Sequence, residues 1–145
     1  MIALDTNLLV YSHRPESPAH REAKALIDSL RNATVSWAIP WPCVHEFIGV
    51  VTAARIFNKP TPIETAFAAV DAWLASNNLH LLAETDRHLK QLRDLAVRAK
   101  LSGPRIHDAR IAALCLHHGV GELWSSDRDF SAFPQLKVRN PLVKK

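Results

Sequence analysis

Short apolar runs alternate with helix-patterned stretches along the whole chain, and this alternation narrows the fold more than any other feature. Ile2–Asp5, Thr34–Ile39, Leu79–Leu82 and Glu122–Ser125 read as strands, with Leu136–Arg139 as a candidate fifth. Between them, apolar residues recur three and four positions apart, the spacing of one helix face. Leu8–Ser12 reads as a short helix. Ser17-Pro18 has the form of an N-cap followed by a first-turn proline, ahead of Ala19, Ala23, Leu26, Ile27 and Leu30. Pro42 opens a helix bearing Val44, Phe47, Ile48 and Val51. Thr61-Pro62-Ile63-Glu64 resembles a capping box, and Ile63, Phe67, Val70 and Leu74 follow on one expected face. Asp86–Lys100 and Ile106–His118 are the last two helices, the second closed by Gly119. Strands joined through helices take right-handed crossovers and pair in parallel. The expected fold class is therefore α/β, a three-layer α/β/α domain around a central parallel sheet of four to five strands.

At 145 residues, 48% hydrophobic and 22% charged, the chain suits one globular domain spanning residues 1–145. The most apolar stretch, Val44–Ala54, is broken by His45, Glu46, Gly49 and Thr52, so no membrane-spanning helix is expected. The N-terminus carries no signal-peptide pattern, and two cysteines make no disulfide framework. A cytoplasmic protein is the expectation. The net charge of +4 is unevenly placed. Arg87, Lys90, Arg93, Arg98, Lys100, Arg105 and Arg110 are opposed only by Asp94 and Asp108, so this stretch holds the entire positive excess. It is a candidate phosphate-binding run or a solvated helix face.

Open parallel sheets bind ligands beyond the carboxyl ends of their strands. Asp5 ends the first strand, and Asp127 and Asp129 follow the fourth in Ser125-Ser126-Asp127-Arg128-Asp129-Phe130. Asp108 falls in the first turn of a helix whose neighbours Ala109, Ile111, Ala112 and Ala113 are small or apolar. Glu46 lies in the first turns of the Pro42 helix. Taken singly, each acid has an ordinary role as a helix cap, a first-turn charge or a turn former. Taken together they converge on one sheet edge, where crowded carboxylates repel unless a cation intervenes. An all-oxygen donor set favours a hard ion, Mg²⁺ or Mn²⁺. Cys43-Val44-His45 and Cys115-Leu116-His117-His118 match no common zinc spacing, and Cys115 is expected to be a small buried hydrophobe.

Asp5-Thr6-Asn7, Glu46 after its proline-opened helix, His107-Asp108-Ala109 and Ser126-Asp127-Arg128-Asp129-Phe130 resemble the PIN-domain ribonucleases. They look most like the VapC-type toxins of bacterial toxin–antitoxin pairs, through Phe133-Pro134 and Arg139-Asn140-Pro141-Leu142 near the end. The resemblance implies a Mg²⁺- or Mn²⁺-dependent endoribonuclease that inhibits translation and growth. In that family four acidic positions bind one or two Mg²⁺ or Mn²⁺ ions; they map to Asp5, Glu46, Asp108 and Asp127, with Asp129 close by, Asp127 preferred for being nearer the strand end, and Glu46 expected to bind a second ion or orient the attacking water. Ser126 stands where a threonine is common, keeping the hydroxyl. Thr6 and Ser126 are the expected supporting hydroxyls. Lys90, Arg93, Arg98, Lys100, Arg105 and Arg110 are the expected RNA contacts. The implied partners are an RNA substrate, a cognate antitoxin and a second copy of the chain. The homodimer surface is expected on Pro42–Arg55 and Thr61–Ser76, from Trp41, Phe57, Phe67 and Trp73.

Rival readings differ in what they require. A haloacid-dehalogenase-type, Mg²⁺-dependent phosphatase wants a second aspartate where Asn7 stands, and a lysine near the later acids. A phosphoacceptor signalling domain wants an aspartate ending the third strand, where Ala83 and Glu84 follow Leu82. A non-catalytic PIN-fold module binding RNA or protein would have no use for clustered acids.

Overall fold

The computed structural model describes residues 1–143. Five short strands, β1 (Ile2–Leu4), β2 (Trp37–Pro40), β3 (Leu79–Leu82), β4 (Glu122–Trp124) and β5 (Val138–Arg139), form one sheet ordered β3-β2-β1-β4-β5. Every pairing is parallel, with Ile2 opposite both Trp37 and Glu122, and Leu4 opposite Trp124. The chain moves outward from β1 to β2 and β3, then crosses back to β4 and β5. The strand order therefore reverses between β1 and β4, which opens a crevice at their carboxyl ends.

Helices α1 (Thr6–His13), α2 (His20–Asn32), α3 (Trp41–Val51), α4 (Ile63–Leu74), α5 (His88–Arg98) and α6 (Ile106–His117) complete the fold, as the alternation predicts. Ala109, Ala112 and Ala113 of α6 are fully buried beside Leu123, Ile39 and Trp37 of the sheet. These small side chains let α6 lie close to the strands. Gly119 ends that helix region with φ of +69°, a conformation that costs glycine nothing.

Three local expectations are corrected by tertiary contacts. Helix α2 begins at His20, and Ser17 Oγ accepts from the Ala19 N–H before the helix starts. Thr61 does not cap α4, because its hydroxyl is engaged by His13 Nε2 at 3.0 Å and Arg14 Nη1 at 2.9 Å. Helix α4 is also rotated from its expected face, of which only Val70 is buried. Ala66, Val70 and Trp73 point inward, with the Trp73 ring edge-on to Phe47 at 4.8 Å. Ile63, Phe67 and Leu74 are left exposed. The large indole has a pocket against Phe47, and its burial sets the helix rotation. Of the aromatics expected at a dimer surface, Trp73 is thus core and Phe57 is half-buried under Arg14. Trp41 and Phe67 remain exposed. No helix among the described residues is long and apolar enough to cross a membrane.

Candidate active site

Asp5 follows β1 and is 5% exposed. Burying a carboxylate is costly unless donors surround it. Here Oδ1 accepts from the Thr6 backbone N–H at 2.8 Å and faces Cys43 Sγ at 3.6 Å. Oδ2 accepts from Ser125 Oγ at 2.7 Å and Asn7 Nδ2 at 3.3 Å. Ser125 also accepts from Asn7 Nδ2 and from the Asp127 N–H, and Asn7 Oδ1 accepts from the Ser126 N–H. The ends of β1 and β4 are thereby laced together around one carboxylate.

Asp127 caps the 3-10 turn Arg128–Ala132, its Oδ1 accepting from the Asp129 N–H at 2.8 Å. Asp108 sits in the first turn of α6. Carboxylate oxygens of Asp108, Asp127 and Asp129 lie within 4.8 Å of one another, a spacing at which they can share a cation. Asp5, Glu46, Asp108 and Asp127 line a single cleft of about 240 Å³ with Tyr11 and Val50 among its other walls. All five acids expected from the sequence therefore gather at the β1/β4 crevice.

Their electrostatics are those of a site short of positive charge. Burial, reinforced by the Asp127 charge, holds the Asp5 carboxyl above its ordinary value against the hydrogen bonds that oppose it. Glu46 is raised by burial and then by Asp5 and Asp108. Asp108 is raised by burial and then by Asp127, Asp129 and Asp5, with only Arg105 pulling the other way. Among the described residues none of the five forms an ion pair. Oxygen donors that repel one another and lack a cationic partner fit a hard divalent cation. The cysteines do not compete for this role: both are buried and free, and burial pushes the Cys115 thiol up to about 12.

The sequence pattern of the PIN domain matches residues 2–136. The chain belongs to the PIN-domain family. Within that family it is similar to the VapC ribonucleases. VapC43 of Mycobacterium tuberculosis is 37% identical over 142 residues, covering 98% of this chain and 96% of that protein. VapC31 of the same organism is 36% identical over 143 residues, covering 98% and 100%. Among solved structures, Mycobacterium tuberculosis VapC20, described as a toxin cleaving the sarcin-ricin loop, superposes with a TM-score of 0.71 at 21% identity, covering 97% and 100%. Rickettsia felis VapBC2, bound to a promoter DNA fragment, gives 0.66 at 18%, covering 97% and 98%. At these identities the structural likeness concerns the fold.

Two details of this PIN domain were not legible in its sequence. The hydroxyl that holds Asp5 is that of Ser125. Thr6 contributes its backbone N–H, and its own Oγ1 is buried without a partner. Ser126 Oγ faces Tyr11 Oη at 3.5 Å instead of a carboxylate. The only signal for Ser125 was its place one residue beyond Trp124, which pairs with Leu4, and that pairing depends on sheet order. The basic run is also divided. Helix α5 packs antiparallel to α6, since Arg87, Lys90 and Asp94 lie beside Leu116 and His117. Lys90 is thus at the far end of α6, about 14 Å along the axis from Asp108 at 1.5 Å per residue. Arg93 lies between, and Arg98 and Lys100 lie toward the near end. Arg110 is paired with Glu84 at 3.0 Å. Arg105 stands at the site, donating to the Asp129 carbonyl at 3.1 Å.

Proposed function

We propose that this PIN domain is a divalent-metal-dependent endoribonuclease and the toxin of a VapBC-type pair. The observation that carries the proposal is the unpaired gathering of Asp108, Asp127 and Asp129 within 4.8 Å, beside Asp5 and Glu46 in one cleft. The ribonuclease names of VapC43 and VapC31 support the substrate class.

Asp5, Asp108, Asp127 and Asp129 would hold Mg²⁺ or Mn²⁺. The bound ion would neutralise phosphate charge and lower the pKa of a coordinated water. Ser125, Asn7 and the Thr6 N–H oppose the effect of burial on Asp5 and hold its carboxylate in place at the cleft. Glu46, whose carboxyl is raised by burial and by Asp5 and Asp108, orients the attacking water and takes its proton. The water oxygen bonds to phosphorus, the ester P–O bond opposite breaks, and the departing oxygen is protonated from solvent. Arg105 is placed to meet a phosphate at the cleft, and Arg98 and Lys100 extend that contact along the backbone. The expected setting is the cytoplasm, where cleavage of cellular RNA would inhibit translation and growth. The expected partners are an antitoxin and a second copy of the chain.

The phosphatase alternative loses ground at Asn7, whose amide is spent on Asp5, Ser125 and Ser126. A non-catalytic module would leave the raised carboxylates as pure cost. The test is to map RNA 5′ ends in cells after brief expression of the wild type and of Asp5→Asn. New ends that appear with wild type alone support the proposal. Identical maps overturn it.

A further inference from the structure

The acidic cleft has a neighbour on its β5 side. A groove of about 730 Å³ runs between the 3-10 turn after Asp127 and the outer edge of β5. Asp127 is a wall of both cavities, so the groove adjoins the site at that residue. Its lining carries three cations, Arg128, Lys137 and Arg139, over a floor that includes Phe130, Phe133 and Leu136.

The cations are positioned. Arg139 is at the carboxyl end of β5, opposite Trp124 in register, and its guanidinium lies 5.2 Å from the centre of the Trp124 ring. Lys137 is two residues back, just ahead of β5, and 3.3 Å from Glu122, and Arg139 is 3.8 Å from the same acid. Glu122 itself is fixed by the Trp124 indole N–H at 2.9 Å. One acid thus orients two bases and offsets one of their charges, leaving a net +1 from the three, and Arg128 adds a further positive charge beside the cleft. Extended backbone spans about 7 Å in two residues, so Lys137 is rooted farther than Arg139 from the acids at the carboxyl end of the sheet. Polyanions bind such rows by releasing counterions.

We infer that this groove receives the single-stranded RNA leading away from the scissile phosphate, with Arg128 and Arg139 on the nearest phosphate beyond the cut and Lys137 on the following one. The inference rests on the ribonuclease reading and adds a strand path that the basic run on α5 does not supply. Charge complementarity and the shared Asp127 wall select this occupant. A partner polypeptide lying along the β5 edge is the competing one.

The test uses the full chain and a fluorescein-labelled 20-nucleotide oligouridylate, with binding followed by anisotropy in EDTA across a salt series. Single-stranded RNA gives a slope of roughly 0.7 per neutralised phosphate in log affinity against log salt. The double variant Lys137→Ala/Arg139→Ala is expected to lower the slope by at least about 0.7, the share of the phosphate that Lys137 holds. A control that removes two cations from α2, Lys24→Ala/Arg21→Ala, is expected to leave it unchanged. The double variant Lys137→Arg/Arg139→Lys, which keeps both charges, separates charge from folding and should retain the wild-type slope. Wild-type affinity and slope in the alanine double variant overturn the inference, as does an equal drop in the α2 control. Loss of partner-protein binding with RNA binding intact assigns the groove to the polypeptide and overturns it too. If wild type cleaves RNA while the groove variants bind normally, only the strand path fails. If wild type neither binds nor cleaves RNA, the ribonuclease reading fails and takes the inference with it.

Discussion

Ser125 Oγ donates a 2.7 Å hydrogen bond to Asp5 Oδ2, joining two residues 120 positions apart in the chain at the crevice between β1 and β4. Through this bond the site depends on sheet order, because only the β1–β4 pairing brings the two strand ends together. A buried acceptor stripped of its donor costs about 1–3 kcal/mol. Ser125→Ala is expected to lower stability by that amount and to raise the Asp5 pKa further, weakening metal binding near neutral pH. Ser125→Thr keeps the donor and should restore both. Thermal melts and isothermal calorimetry with Mn²⁺ read the two effects, and wild-type metal affinity in Ser125→Ala would contradict the role given to the bond.

The two acids after β4 are separable. Asp127 caps the 3-10 turn, whereas the Asp129 side chain does not. Asp127→Asn keeps an N-cap and removes a charge, so it should lose metal affinity and most cleavage with little change in melting temperature. Asp127→Ala should lose the cap as well, at a cost of about 1 kcal/mol. Asp129→Asn should lose less activity. A larger melting-temperature loss in Asp129→Asn than in Asp127→Ala would move the capping role to Asp129.

Metal-free stability should fall as pH rises. Asp5, Glu46 and Asp108 all have folded-state pKa values above their ordinary 3.8, 4.5 and 3.8. Across the interval between ordinary and raised values the folded state binds more protons than the unfolded one, so each unit of rising pH costs stability. Once pH exceeds the raised values, this loss from the three acids is complete. In EDTA the melting temperature is therefore expected to rise as pH is lowered from 7 into that interval. Saturating Mg²⁺ at pH 7 should recover the difference, and Asp108→Asn should flatten the profile. A site profile that runs the opposite way, after subtracting Asp5→Asn, would exclude the repulsion described here.

Cleavage itself should stop in Asp5→Asn and Asp108→Asn, with folding retained and metal-free stability equal to or above wild type. Gel assays with Mg²⁺ or Mn²⁺, alongside melts in EDTA, test this. Undiminished cleavage by both variants, or by wild type in excess EDTA, would remove the metal from the mechanism.

The outward face of α4 predicts self-association. Ile63 and Phe67 are each 52% exposed and Leu74 is 44% exposed, an apolar row left open to solvent. Phe67→Glu is expected to shift a dimer to monomer in light scattering while leaving the far-UV spectrum unchanged. Dimerisation that survives both this change and Ile63→Glu would place the interface elsewhere.

Strand and helix alternation was readable from local pattern, because apolar spacing reports which side of each element can be buried. So was the convergence of the acids. Asp5 and Asp127 end apolar strand runs, Asp108 opens a helix of small residues, and a parallel sheet puts such positions on one edge. Sequence alone thus determined the fold class and which five acids meet at that edge. Three other matters were decided only by tertiary packing. Helix α4 turned its face because Trp73 found Phe47, although Ile63, Phe67 and Leu74 have the better apolar spacing. The basic run was split because α5 and α6 are antiparallel, which moved Lys90 away from the acids and set Arg110 on Glu84. The choice of Ser125 over Thr6 or Ser126 followed from strand register across 120 residues. Local pattern specifies which residues prefer burial or a strand end. Partners distant in sequence, and the side chains that meet them, are set by the order in which the strands pair.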